Sequence, residues 1–130
     1  MDNIKISLKE SSRKEISEVR VDGVIDTITS SELEEVIDSL IKRSRYKIII
    51  DLAGVDYISS AGWGIFISHI KDVRSNDGDI KLAGMLPEVF EIYELLEFDN
   101  VLTAYKTVDD AHSEFGGDNG TPDDNGKKKA

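Results

Sequence analysis

A chain of 130 residues, 39% hydrophobic and 32% charged, suits one domain with a modest core. Its 16 basic and 26 acidic side chains leave a net charge of −10, which repels nucleic acid and anionic membranes and excludes both as expected partners. The lack of cysteine rules out disulfides and thiolate zinc sites. The only two histidines, His69 and His112, lie far apart in sequence, so neither a metal centre, nor a cofactor, nor Ser/His catalysis is expected. No apolar run approaches the roughly 18 residues of a transmembrane helix, and Met1 to Lys5 have no signal-peptide core, so the expected location is the cytoplasm.

Along the chain, alternation in Ile4 to Leu8 and again in Ile16 to Val21 predicts two half-buried strands, with Ser11 to Lys14 turning between them as an antiparallel pair. Asp22-Gly23 reads as punctuation. Leu33, Val36, Ile37, Leu40 and Ile41 fit an amphipathic helix, and Ser31 with Glu34 suggests a capping box at its start. Tyr46 to Leu52 is a nearly continuous β-branched run, the signature of a central strand covered by helices. A polar interruption follows, and then Phe66, Ile70 and Val73 mark a second helix that ends by Asn76-Asp77-Gly78. Ile80 to Ala83 predicts another strand. Pro87 opens a third helix whose buried stripe is predicted as Val89, Ile92 and Leu96. Val101 to Tyr105 and Val108 to Phe115 complete the series as a strand and a short helix.

The order β-β-α-β-α-β-α-β-α implies an α/β fold: a mixed, mostly parallel sheet of four to five strands with about four helices. Residues 1–115 form the expected domain. Residues 116–130 hold four of the ten glycines, one of the two prolines and no large apolar side chain, so a disordered tail is expected, with Lys127 to Lys129 solvated at its end.

The most unusual stretch is Asp51-Leu52-Ala53-Gly54-Val55-Asp56-Tyr57-Ile58-Ser59-Ser60-Ala61-Gly62-Trp63-Gly64, which leaves the most hydrophobic strand and enters a helix. Open α/β sheets place functional groups after central parallel strands. Two hydroxyls and two glycines at the helix start would meet unpaired backbone N–H groups and the positive end of the helix dipole, a place that welcomes phosphate.

Here the sequence resembles the STAS-domain anti-sigma factor antagonists, over about residues 4 to 115. The residues that carry the resemblance are Asp51-Leu52, Val55, Tyr57-Ile58 and Ser59-Ser60-Ala61-Gly62, together with Gly23-Val24-Ile25-Asp26 at the end of the second strand. The resemblance implies the STAS fold and a bacterial partner-switching regulator that is no enzyme. In that family the unphosphorylated form binds an anti-sigma factor serine/threonine kinase and frees the sigma factor. Serine phosphorylation reverses this, and a metal-dependent serine phosphatase resets the switch. By motif position the acceptor is Ser60, with Ser59 as the competing hydroxyl because many members have Asp there. Asp26, Ser59, Ser60, Gly62, Trp63 and Gly64 are the implied partner-binding residues. Ala53 replaces the usual Ser and Trp63 the usual Leu.

Each of these residues also has a plainer role. Ser60 suits a helix cap, Trp63 falls on the flank of the buried face, Gly62 and Gly64 suit tight packing, and Asp26 suits capping of the first helix. Glu88, Glu91, Glu94, Glu97 and Asp99 form either a solvated face or a surface that steers a basic kinase. His69, about 13 Å up the helix from Ser60 and out of phase with it, is no general base for that serine. The segment matches neither the Gly-x-Ser-x-Gly elbow nor a Walker sequence. The rival function is a STAS scaffold or sensor module that binds partners without being phosphorylated.

Overall fold

The computed structural model describes residues 4–10 and 15–116. Alternating apolar side chains build β1 (Ile4–Glu10) and β2 (Ile16–Ile25), which pair antiparallel from Ile4 opposite Gly23 to Glu10 opposite Ser17. The turn expected at residues 11–14 lies outside the described residues, as does the tail expected at residues 116–130 except for Gly116, which is the last residue of the final helix. β3 (Lys47–Ile58), β4 (Asp79–Ala83) and β5 (Thr103–Tyr105) then add in parallel, giving the spatial order β1-β2-β3-β4-β5 with β3 in the centre, as its composition predicts.

The connections are α1 (Ser30–Lys42), α2 (Ser60–Ser75) and α3 (Pro87–Leu95). Because each crossover steps one strand further in the same direction, the right-handed rule puts all three on one face. Their buried side chains, among them Leu33, Ile37, Leu40, Phe66, Ile70 and Val89, share one core with Val19, Val21, Ile48, Ile50 and Leu52. The final helix, α4 (Val108–Gly116), covers the opposite face, where Ala111 packs with Ile16, Ile49, Ala83 and Tyr105. There the Lys81 ammonium is 3.2 Å from Asp79 and 4.7 Å from the centre of the Phe115 ring. Burial pushes the Tyr105 phenol well above its ordinary range.

Several local expectations are corrected. Asp22-Gly23 does not end β2, which runs on through Gly23 (φ +117°) to Ile25. The capping box at Ser31 does not form. Thr29 occupies the cap position, and the Ser31 hydroxyl donates to the Ile28 carbonyl. In α3 the buried side chains are Val89 and Tyr93, while Ile92 and Leu96 are 40% and 53% exposed. Tyr93 is held on the buried side by its ring, which packs against Trp63 and Phe90, and by its hydroxyl, which donates to the Leu102 carbonyl at 2.5 Å. Burial and the nearby Asp99 and Glu94 push that phenol up to about 12. The last strand begins at Thr103 rather than Val101, after a 3-10 turn at Phe98–Asn100.

The largest correction concerns β3. The β-branched run read from the sequence stops at Leu52, yet the strand continues to Ile58 beside β2. Its register shifts twice, between Arg20/Asp22 and between Gly23/Val24, each time with one extra residue on β3. The inward positions therefore fall at Ile48, Ile50 and Leu52 and then at Val55 and Ile58, all buried. Bulges of this kind turn a period of two into a period of three and look polar in sequence. Gly54 sits at the first of them, where a Cβ would stand 1.9 Å from an Asp22 carboxylate oxygen.

Candidate functional site

The extension of β3 decides where α2 begins. Ile58, the last strand residue, pairs with Ile25, and the ladder is prolonged by Ser59 N–H donating to the Ile25 carbonyl at 2.8 Å. Ser59 is extended (φ −79°, ψ 172°) and is the N-cap, its hydroxyl accepting from Gly62 N–H at 3.3 Å and its carbonyl from Trp63 N–H at 3.0 Å. Ser60 is thus not the cap expected from its position but the first helical residue, and its side chain is exposed. The first backbone N–H groups of a helix have no intrahelical acceptor, and α2 carries no acidic side chain in its first turn to offset the helix dipole.

Asp26 follows Ile25 directly and so lies at the same end of the sheet as Ser59. Its Oδ1 accepts from the backbone N–H groups of Ile28 and Thr29, both at 2.9 Å. The Thr29 hydroxyl donates to the Val24 carbonyl at 2.7 Å and accepts from Asp26 N–H at 2.9 Å. This closed turn launches α1, with Ser30 N–H donating to the Asp26 carbonyl. The Thr29 backbone N–H, above the other donors, holds the Asp26 carboxyl below the usual carboxylate range. Both motifs singled out in the sequence therefore lie side by side, Gly23 to Ile25 paired with Val55 to Ile58 and the ladder closed by the Ser59 N–H bond to the Ile25 carbonyl.

The remaining predicted residues lie below the surface or beside it. Trp63 is 2% exposed, stacked near Phe98 (ring centres 4.9 Å), Tyr93 (6.2 Å) and Phe66 (6.3 Å), so it presents no face to a partner and its role is packing. Gly62 is buried. A Cβ there would meet Cγ2 of Ile25 at 2.7 Å and Cγ2 of Ile58 at 2.8 Å, so the glycine lets α2 settle on the ends of β2 and β3. Gly64 is exposed, with open space where a Cβ would stand. Two exposed apolar side chains at this end were missed: Ile28, 80% exposed on the Asp26 turn, and Tyr57, 55% exposed. Tyr57 belonged to the motif all along, and an isoleucine in a Thr-rich turn is the only sequence signal Ile28 offers.

His69 lies away from this end. It bridges to α1, 2.9 Å from Asp38 and 3.8 Å from Glu34. A separate concavity of about 440 Å³ opens beside β5, lined by Lys81, Tyr93, Asp99, Tyr105 and Glu114. Its central polar groups are already paired, Lys81 with Asp79 and Tyr93 with the Leu102 carbonyl. None of the helices among the described residues is long and apolar enough to cross a membrane.

A five-stranded mixed sheet with three helices on one face and one on the other, and an exposed serine at the first position of α2, makes this a two-layered α/β domain closed on its second face by α4. The STAS domain profile matches residues 8–111, and the chain belongs to the STAS domain family. It is similar to the anti-sigma-B factor antagonist of Staphylococcus aureus, 26% identical over 92 residues that cover 71% of this chain and 85% of the relative. Among solved structures, an anti-sigma factor antagonist from Mycobacterium paratuberculosis superposes with a TM-score of 0.79 at 24% identity, covering 88% of this chain and 95% of that one. The anti-sigma factor antagonist SpoIIAA, a Bacillus cell fate determinant, shares the fold in its unphosphorylated form (TM-score 0.73, 17% identity, 87% and 97% covered) and in its phosphorylated form (0.65, 15%, 85% and 98%).

Proposed function

We propose that this protein is a partner-switching regulator of the bacterial cytoplasm. Its unphosphorylated form binds an anti-sigma factor serine/threonine kinase and frees the sigma factor. The kinase transfers the γ-phosphoryl group of ATP to the Ser60 hydroxyl, which loses its proton as ADP leaves, and the partners separate. A metal-dependent serine phosphatase restores the hydroxyl. The chain itself contributes binding, not catalysis.

The observation that carries this reading is the division of labour between two adjacent serines. Ser59 is committed to the cap, while Ser60 stands exposed at the first position of a 16-residue helix. A phosphate there adds a charge of about −1.5 to −2, which the helix dipole and the first N–H groups stabilise, so the domain tolerates it. A partner pressed against the neutral hydroxyl would have to desolvate that same charge, so binding is lost. Asp26, Ser59, Ser60 and Gly64 belong to this surface, and Gly62 and Trp63 support it from beneath. The names of the relatives, and the existence of SpoIIAA in both phosphorylation states, support the same reading.

Intact mass and peptide mapping of the protein from resting and stressed cells tests it. The expected result is a condition-dependent increment of about 80 Da on Ser60, absent in Ser60→Ala. An increment on Ser59 would move the acceptor, and none under any condition would leave the module that binds without phosphorylation.

A further inference from the structure

Glu34 and Asp38 stand one helical turn apart on α1, and His69 faces them from α2. Their ligand atoms lie within 4.8 Å of one another: His69 Nε2 is 2.9 Å from Asp38 Oδ1 and 3.8 Å from Glu34 Oε2. The other ring nitrogen settles the tautomer. Nδ1 is 2.9 Å from the Ile65 carbonyl, a group that only accepts, so Nδ1 carries a proton and donates it there. The Ser68 hydroxyl, 3.2 Å from Nδ1, sits beside the same bond. A neutral His69 therefore turns its Nε2 lone pair toward two carboxylates, an arrangement relieved either by a proton on Nε2, which then donates to Asp38 at 2.9 Å, or by a metal cation held between the three groups.

We propose that Glu34, Asp38 and His69 bind a divalent cation of the zinc class that cross-links α1 to α2. One imidazole and two carboxylates suit Zn²⁺, whereas Ca²⁺ and Mg²⁺ take all-oxygen sites. Ligands about 2.1 Å from zinc stand about 3.0 to 3.5 Å from one another, so the observed separations need only small side-chain adjustment. The Nδ1–H bond to a backbone carbonyl is the outer contact that usually orients a ligating imidazole. The His69 side chain is 13% exposed while those of Glu34 and Asp38 are 45% and 51% exposed, which leaves a side open for water to complete the coordination. A ligating imidazole must be neutral at the nitrogen that binds, so a proton on Nε2 competes with the metal. The site does not depend on phosphorylation of Ser60.

The test is calorimetric titration of the full chain, freed of metal by a chelator, with Zn²⁺ alone at about pH 7.5. Expected is one saturable site with a Kd in the micromolar range, about tenfold or more weaker in His69→Gln and in Asp38→Asn, and weaker as pH falls. His112→Gln, which removes the other imidazole, should leave it unchanged, and Mg²⁺ should give no saturable heat. Circular dichroism checks that each variant is folded. In the wild-type chain, the ¹⁵N resonance of His69 Nε2 should move on zinc addition while that of His112 stays, a reading that needs no variant. Absence of saturable zinc binding, or equal affinity in His69→Gln, would overturn the proposal, as would a zinc-induced shift confined to His112.

Discussion

Ser59 and Ser60 are chemically identical neighbours with opposite roles, and substitution should separate them. Ser59→Ala removes the acceptor for Gly62 N–H and is expected to cost about 1 kcal/mol in denaturant unfolding, whereas Ser60→Ala, with no cap to lose, should stay within about 0.5 kcal/mol of wild type. Asp26 supplies a pH dependence. Its carboxyl titrates below the unfolded value because the charged form accepts from Thr29 and Ile28. The sign follows: its contribution to stability is complete above about pH 4 and disappears as pH falls through the lowered native value. Unfolding of wild type and Asp26→Ala, followed from neutral pH downward, should show a stability gap that is constant near neutrality and closes in acid. A gap that widened in acid would contradict the assigned direction. Trp63 is a reminder that residue type alone misleads: a lone tryptophan in a recognition motif invites a surface role, yet its ring is enclosed by Phe66, Tyr93 and Phe98.

At the level of elements, α2 contains two glycines that the sequence treats alike and the structure does not. Gly62 lies over Ile25 and Ile58 with no room for a methyl group, and Gly64 faces open space. Gly62→Ala should destabilise by about 1 to 3 kcal/mol through overpacking, partly offset by helix propensity, while Gly64→Ala should stabilise by up to about 1 kcal/mol. Thermal unfolding of the two variants would show opposite shifts in Tm, and shifts of the same sign would refute this account. The long β3 shows why the candidate site was only half legible. The apolar run to Leu52 announced a central strand, but two bulges carried the strand on to Ile58 with its inward residues spaced by three, a pattern no period-two template matches. The buried face of α3 escapes the sequence pattern for a related reason: Ile92 and Leu96 are as apolar as Val89, and what distinguishes the buried face is tertiary, the Tyr93 ring packing on Trp63 and Phe90 and its hydroxyl donating to the Leu102 carbonyl.

For the whole molecule, the sequential strand order leaves one face to three helices and puts the proposed acceptor at the end of the sheet where β2 and β3 stop together. The local character of the site implies a local response. Phosphorylated protein, compared with unmodified protein by amide chemical shifts, should change mainly at residues 56–66 and in the Asp26–Thr29 turn joined to them through Ser59 and Ile25. Shifts spread across β4, β5 and α4 would mean that the charge reorganises the fold and not merely its surface. The acids of α3 and its following turn are all exposed. With a net charge of −10 they supply a long-range field that would speed association with a basic partner, an effect that salt should screen.

The sequence by itself determined the order and type of the elements, the central place of β3, the inward faces of α1 and α2, and the serine pair at a helix start. These are local quantities: hydrophobic period and turn chemistry are written within a few residues and need no partner to be read. Only the tertiary structure decided which serine caps and which is exposed, that Trp63 is core, and that His69 meets Asp38 and Glu34 across 31 to 35 positions of chain. Those outcomes depend on where β3 ends against β2 and on how α1 and α2 lie side by side. Strand register and crossover geometry fix such distances, and neither leaves a periodic trace in the sequence.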